Sequence, residues 1–279
     1  MKITMYKFLF LFLFLPAITD AADYPNIPKD IDKDTFCSKN GERFGHVIVL
    51  LDLTTDLKKP QIDSIKDMVF SKNFYNKFDP FTKFSYLLIN RNKPQEQEFI
   101  FSKCRPKSGV GKEKNSWSEN KKIIQKFYDD FLNQAQSVHK EVYSKTGGSD
   151  HTFIYETFAY IFQNPKFDFN GNDYKSRNLV IVSDMMQHSE RLSFYSACNA
   201  KSSKAKCPNF KDFMRNLSDK DYLTATSPKG KGVDLELYYL NHRNETNKAL
   251  DSSLIKLWEN YFKDRGFNIT KIQRQLDIL

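Results

Sequence analysis

The sequence predicts an α/β fold, a doubly wound and mostly parallel sheet flanked by helices. Three observations carry that prediction. Two aliphatic runs, His46-Val47-Ile48-Val49-Leu50-Leu51-Asp52 and Asn178-Leu179-Val180-Ile181-Val182-Ser183-Asp184, lack polar alternation, as strands buried on both faces do. Helical apolar stripes fall between the strand-like runs, the arrangement a parallel sheet needs for its crossovers. A composition of 40 % hydrophobic and 15 % aromatic residues supplies a core, and ten Gly with ten Pro exclude disordered and collagen-like chains.

Residues 1–22 read as a signal peptide. Lys2 and Lys7 are followed by the apolar run Phe8 to Leu15, then Pro16 and the small residues Thr19-Asp20-Ala21-Ala22. The apolar run is short for a membrane span, so the mature chain is expected to be exported, periplasmic or secreted. Residues 23–44, with Pro25 and Pro28, form a polar N-terminal extension, and residues 45–279 one domain.

Within that domain His46–Asp52 is the first strand, and Ile62, Ile65, Met68 and Val69 follow at helical spacing. Phe84–Ile89 is a second strand and Glu98–Phe101 a third. Ser118–Ser144 is a long helix with Ile123, Ile124, Phe127, Phe131, Leu132, Ala135 and Val138 on its apolar side. Thr146-Gly147-Gly148-Ser149-Asp150 breaks it, and another helix starts near Thr152. After the buried strand that ends at Asp184, the Lys- and Ser-rich stretch near 187–228 reads as a surface insertion. Val233–Leu240 alternates enough to lie nearer a sheet edge. Leu250, Leu254, Leu257, Trp258, Tyr261 and Phe262 form a helical stripe closed by Gly266, and Phe267–Ile269 is a final short strand.

Export alters the meaning of the four cysteines. An even number in an oxidising compartment implies two disulfides. Cys198 and Cys207 bracket a short polar loop and pair with each other, which leaves Cys37 for Cys104. Loop-closure entropy gives about 2.7 kcal/mol for the small loop and about 4 kcal/mol for the large one. The spacings match no zinc-finger pattern.

In a doubly wound sheet, ligands bind beyond the carboxyl ends of the strands, where strand order reverses. Both buried runs deliver an aspartate there, Asp52 and Asp184. The first continues as Asp52-Leu53-Thr54-Thr55-Asp56, an Asp-x-Thr-x-Asp turn whose alternate residues can aim oxygens at one centre. Carboxylates and hydroxyls are hard ligands, suited to Mg²⁺ or Mn²⁺ rather than zinc. Mg²⁺ takes few protein ligands and leaves a position for an outside carboxylate.

This pattern resembles the metal-ion-dependent adhesion site of the von Willebrand factor A-like domains, with Asp-x-Ser-x-Ser after the first strand, a Thr in a second loop and an Asp after the fourth strand. Asp52, Thr54 and Asp56 match the first loop, Thr152 in Gly147–Thr152 the second and Asp184 the third. The resemblance covers roughly residues 45–275 in element order. The departure is Asp56, where Ser is usual; a third carboxylate alters the affinity or preference of the site, or marks it as degenerate. The resemblance implies a partner protein that supplies an Asp or Glu carboxylate to the open metal position.

Two other readings stay open: a metal-dependent hydrolase at the same edge, and a metal-independent structural subunit of a cell-envelope complex. Asp56 favours the hydrolase, and the lack of a general base or nucleophile motif favours adhesion. No Gly-x-Ser-x-Gly elbow, Walker loop or His-Glu-x-x-His occurs. His188 lies four residues beyond Asp184, within reach of the same edge. The net charge of +9 points to acidic envelope surfaces or an acidic protein rather than nucleic acid, and equally describes a solvated basic surface.

Overall fold

A computed structural model describes residues 31–39, 43–54, 57–89, 96–109, 121–144, 151–169, 173–200, 205–216, 230–240 and 248–274. The expected signal peptide, most of the extension before residue 43, Asp56 and the Gly147–Asp150 turn lie outside the described residues.

Six strands form one sheet: β1 (Gly45–Asp52), β2 (Lys83–Ile89), β3 (Phe101–Cys104), β4 (Ser176–Ser183), β5 (Asp234–Tyr239) and β6 (Asn268–Arg274). Their spatial order is β3-β2-β1-β4-β5-β6; every neighbouring pair is parallel except β2 and β3. The chain winds outward from β1 through β2 to β3, then returns to β4 on the other side of β1. Strand order therefore reverses between β1 and β4, and the sheet is an α/β sheet of the doubly wound kind.

The middles of the two central strands, Val47–Leu51 and Leu179–Val182, are apolar because helices cover both faces. Ile48, Leu50, Leu179 and Ile181 pack with α4 (Ile154–Gln163) and with α7 (Lys248–Asp264). Val47, Val49, Leu51, Val180 and Val182 point the other way, toward α1 (Lys59–Val69), α2 (Lys72–Tyr75) and the long α3 (Lys121–Ser144). Successive side chains of a strand alternate faces, so an unbroken aliphatic run feeds both cores. Gly45 opens β1 where a Cβ would meet Ser176 Oγ at 2.7 Å and Thr82 Oγ1 at 2.9 Å. Helix α7 ends as its stripe predicts: Gly266 adopts φ +81°, the left-handed turn that glycine takes without strain.

Three expectations shift. The third strand is Phe101–Cys104 rather than Glu98–Phe101, because the pairing with β2 begins opposite Tyr86 at Phe101. The last strand is Asn268–Arg274 rather than Phe267–Ile269, five residues longer at its end, and it pairs along β5. The 187–228 stretch is not confined to the surface. Its short helices α5 (Phe194–Ala197) and α6 (Phe210–Asn216) insert Phe194 and Phe213 into the core beside Trp258, with Cys198 and Cys207 buried next to them.

Both disulfides form, Cys37–Cys104 and Cys198–Cys207, and no cysteine is free. The first ties the N-terminal segment to β3, where the Cys104 amide donates to the Thr35 carbonyl. Two disulfides suit a non-reducing, extracellular setting. Among the described residues no helix is long and apolar enough to cross a membrane.

Candidate functional site

The reversal point between β1 and β4 is built from side chains that the chain brings from three places. Asp52 closes β1, Ser183 closes β4 with Asp184 following, and Thr152 precedes α4. All four are buried, as is Thr54.

Hydroxyls surround the Asp52 carboxylate. Oδ1 accepts from the Thr54 amide at 2.9 Å and the Thr54 hydroxyl at 2.6 Å, and Oδ2 accepts from Ser183 Oγ at 2.6 Å. Thr152 Oγ1 in turn donates to Thr54 Oγ1 at 2.8 Å. The result is a directed relay, from Thr152 to Thr54 to Asp52, that ends on a carboxylate. Burial pushes the Asp52 carboxyl up to about 7, with the negative charge of Asp184 acting in the same direction and the hydroxyl bonds opposing both.

The loop after β4 is held from several sides. Ser183 Oγ accepts from the Met185 amide at 2.8 Å, and Asp184 Oδ1 from the Met186 amide at 2.9 Å. Met185 takes a left-handed conformation, φ 60°, uncommon for a side-chain-bearing residue. Its carbonyl accepts from Trp258 Nε1 at 2.9 Å, so α7 fixes the turn. Gln187 is fully buried; its Oε1 accepts the Tyr155 amide at the start of α4, and its amide donates to Glu156. His188 then pairs its main chain with Thr152 in both directions, at 2.7 and 2.9 Å. The second and third loops are thereby welded to each other.

Of the residues expected at this edge, the structure gathers Thr54, Thr152 and Asp52 in one hydrogen-bonded chain, with Asp184 adjacent to Ser183. Asp56 falls outside the described residues. Ser183, Gln187 and Trp258 join this edge although no motif in the sequence marks them. A polar residue at the end of an aliphatic run was the available signal for Ser183; the other two act through tertiary packing that no local pattern announces. His188 approaches the site through its backbone, while its ring bonds Ser193 Oγ at 2.9 Å.

Among the described residues no three His, Cys, Asp or Glu side chains gather closely enough to hold a metal ion by themselves. The donors present are two carboxylates and the hydroxyls of Thr54, Thr152 and Ser183. That all-oxygen set fits a hard cation such as Mg²⁺, which binds through one or two carboxylates and keeps several waters. No protein-family model matches this chain, and no curated protein matches it.

Proposed function

We propose that this chain is an exported, von Willebrand factor A-like protein that binds a partner protein through Mg²⁺ or Mn²⁺ at the carboxyl edge of its sheet. The observation that carries this reading is the relay Thr152–Thr54–Asp52 beside Ser183 and Asp184, at the point where strand order reverses. Asp52, Thr54, Thr152 and Asp184 would hold the cation, with Asp56 available from the same loop. The bound cation would supply an open position for a carboxylate of the partner. Export is supported by the N-terminal pattern of residues 1–22 and by the two disulfides.

One observation favours a second reading, a metal-independent structural subunit of a cell-envelope complex. Both oxygens of Asp52 already accept hydrogen bonds from protein groups. The loop is therefore satisfied as it stands.

Thermal unfolding with and without cations separates the two. A cation that binds only the folded state at a hundredfold excess over its Kd adds about 2.7 kcal/mol. In a chain of this size that raises Tm by roughly 5–10 °C. Asp52→Asn should remove the response while keeping the Thr54 contacts on its one remaining acceptor oxygen, and zinc should do no better than magnesium. No shift and no calorimetric binding at millimolar Mg²⁺ and Mn²⁺ would hand the site to the structural reading.

A further inference from the structure

An ionised carboxylate offers about four lone-pair sites, two on each oxygen. Among the described residues, three of those on Asp52 are filled. The Thr54 amide and hydroxyl both reach Oδ1, at 2.9 and 2.6 Å, and the Ser183 hydroxyl reaches Oδ2 at 2.6 Å. The site left over lies on Oδ2. Held at both oxygens, the buried carboxylate cannot turn both of them toward one ion without giving up a hydrogen bond.

The hold at Ser183 is itself fixed. Parallel pairing of β1 with β4 runs to Leu51 and Val182, which sets Asp52 and Ser183 side by side at the strand ends. Ser183 is fully buried, and its oxygen accepts the Met185 amide at 2.8 Å. Met185 is the left-handed residue whose carbonyl the Trp258 indole holds at 2.9 Å. The Ser183 proton is thus committed to Asp52, and its oxygen is kept in place by the turn that α7 secures.

Hard cations differ in how they use carboxylates. Ca²⁺ gathers roughly six to eight oxygens in a flexible shell and takes carboxylates through both oxygens, whereas Mg²⁺ demands a near-octahedral shell, few carboxylates and several waters. We infer that Ser183 sets the cation preference of this edge: by holding Asp52 to one-oxygen binding, it favours Mg²⁺ and Mn²⁺ over Ca²⁺. The inference rests on the cation-dependent reading above and gives a role to a residue not among those that would hold the ion. Ser183 is a positioning residue, acting through Asp52. Without its hydroxyl the carboxylate is held at Oδ1 alone and can turn both oxygens toward a larger ion.

The test is calorimetric titration of the full mature protein with Mg²⁺, Mn²⁺ and Ca²⁺ at fixed ionic strength, for the parent, Ser183→Ala and Ser183→Thr. The parent should bind Mg²⁺ and Mn²⁺ more tightly than Ca²⁺. Ser183→Ala should lower Mn²⁺ affinity by about tenfold and leave Ca²⁺ affinity level or raised. Ser183→Thr, which keeps the hydroxyl, should keep the parent's ratio. A serine that merely braces the loop would weaken both cations by the same factor. That outcome, an unchanged ratio in Ser183→Ala, or tighter Ca²⁺ binding by the parent would overturn the inference while the cation site stands. Infrared difference spectra of the parent with and without Mg²⁺ answer even if neither variant folds. The gap between the two carboxylate stretches should report one-oxygen binding, and a two-oxygen band that Asp184→Asn does not remove would overturn the inference. If the parent binds none of the three cations, the cation-dependent reading itself falls, and the inference with it.

Discussion

Thr152 donates a 2.8 Å hydrogen bond to Thr54 across 98 residues of chain, and it is this bond that joins the loop before α4 to the loop after β1. Neither hydroxyl is exposed to bulk solvent, since both residues are buried. Thr152→Val keeps the shape and removes the donor. It should cost about 1 kcal/mol in urea unfolding and lower Mg²⁺ affinity by about tenfold or more. Unaltered affinity in calorimetry would place Thr152 outside the cation site.

Trp258 has two separable roles. Its ring fills the core among Phe158, Phe194, Tyr261 and Phe262, and its indole N–H holds the Met185 carbonyl at the site. Trp258→Ala should cost about 3–5 kcal/mol. Trp258→Phe keeps most of the packing and should cost about 1 kcal/mol more than its lost volume, through the orphaned Met185 carbonyl. Denaturant unfolding of the two variants checks this; an alanine cost under about 1 kcal/mol would make α7 peripheral.

The small disulfide lies inside the core rather than on a loop tip. Cys198 and Cys207 are both buried, and the bridge spans nine residues of sequence. Replacing both with Ser should cost roughly 2–5 kcal/mol, the loop-closure contribution plus two hydroxyls placed among Phe194 and Phe213. Thiol titration of the denatured, unreduced protein should find no reactive groups. Four reactive groups would refute the pairing.

At the opposite end of β1, His46 is fully buried, with Nε2 on Ser85 Oγ at 2.9 Å. Burial, with help from the Lys83 charge, pushes its imidazole down to about 3. The folded state stays neutral there while the unfolded chain takes up a proton below about 6.5. Stability from this group is therefore complete above pH 6.5 and drains away as pH falls toward 3. His46→Gln should be less stable than the parent at pH 7.5, and the gap should shift in favour of the variant by about 3 kcal/mol at pH 4. Denaturant unfolding at the two pH values reads the difference, and a constant gap would mean that the ring is hydrated.

Much of the architecture was legible because burial on two faces writes itself into the chain. Val47–Leu51 and Leu179–Val182 have no solvent side, so no polar residue interrupts them. The edge strands were harder. In β3, Ser102 and Lys103 are half-exposed and carry no apolar signal, while Phe99 packs on the core from outside the strand, which draws the expected strand three residues too early. Lys271 and Gln273 hid the length of β6 in the same way. Around the site, Asp52, Thr54, Thr152 and Asp184 could be read from loop position. Ser183 reads only as the last residue of an aliphatic run, and Gln187 as an ordinary loop residue until α4 is seen to start on its side chain. The Lys- and Ser-rich composition near 187–228 masked the three aromatic residues Phe194, Phe210 and Phe213, which carry the packing there.

The clip formed by Cys37 and Cys104 gives the sheet a polarity that its strand order alone does not. On the β3 side, the N-terminal segment lies across the border and the Thr35 carbonyl takes up an amide that would otherwise face outward. On the β6 side, among the described residues, only β5 is paired, and Lys271 and Arg274 stand along the rim. One flank is capped covalently and the other guarded by charge, two different ways of discouraging sheet-to-sheet growth. Losing the Cys37–Cys104 bridge would affect them unequally: it would release the cap over β3 and leave the charge-guarded flank as it is, so the edge-to-edge hazard that follows from this bridge falls on a single side of the sheet.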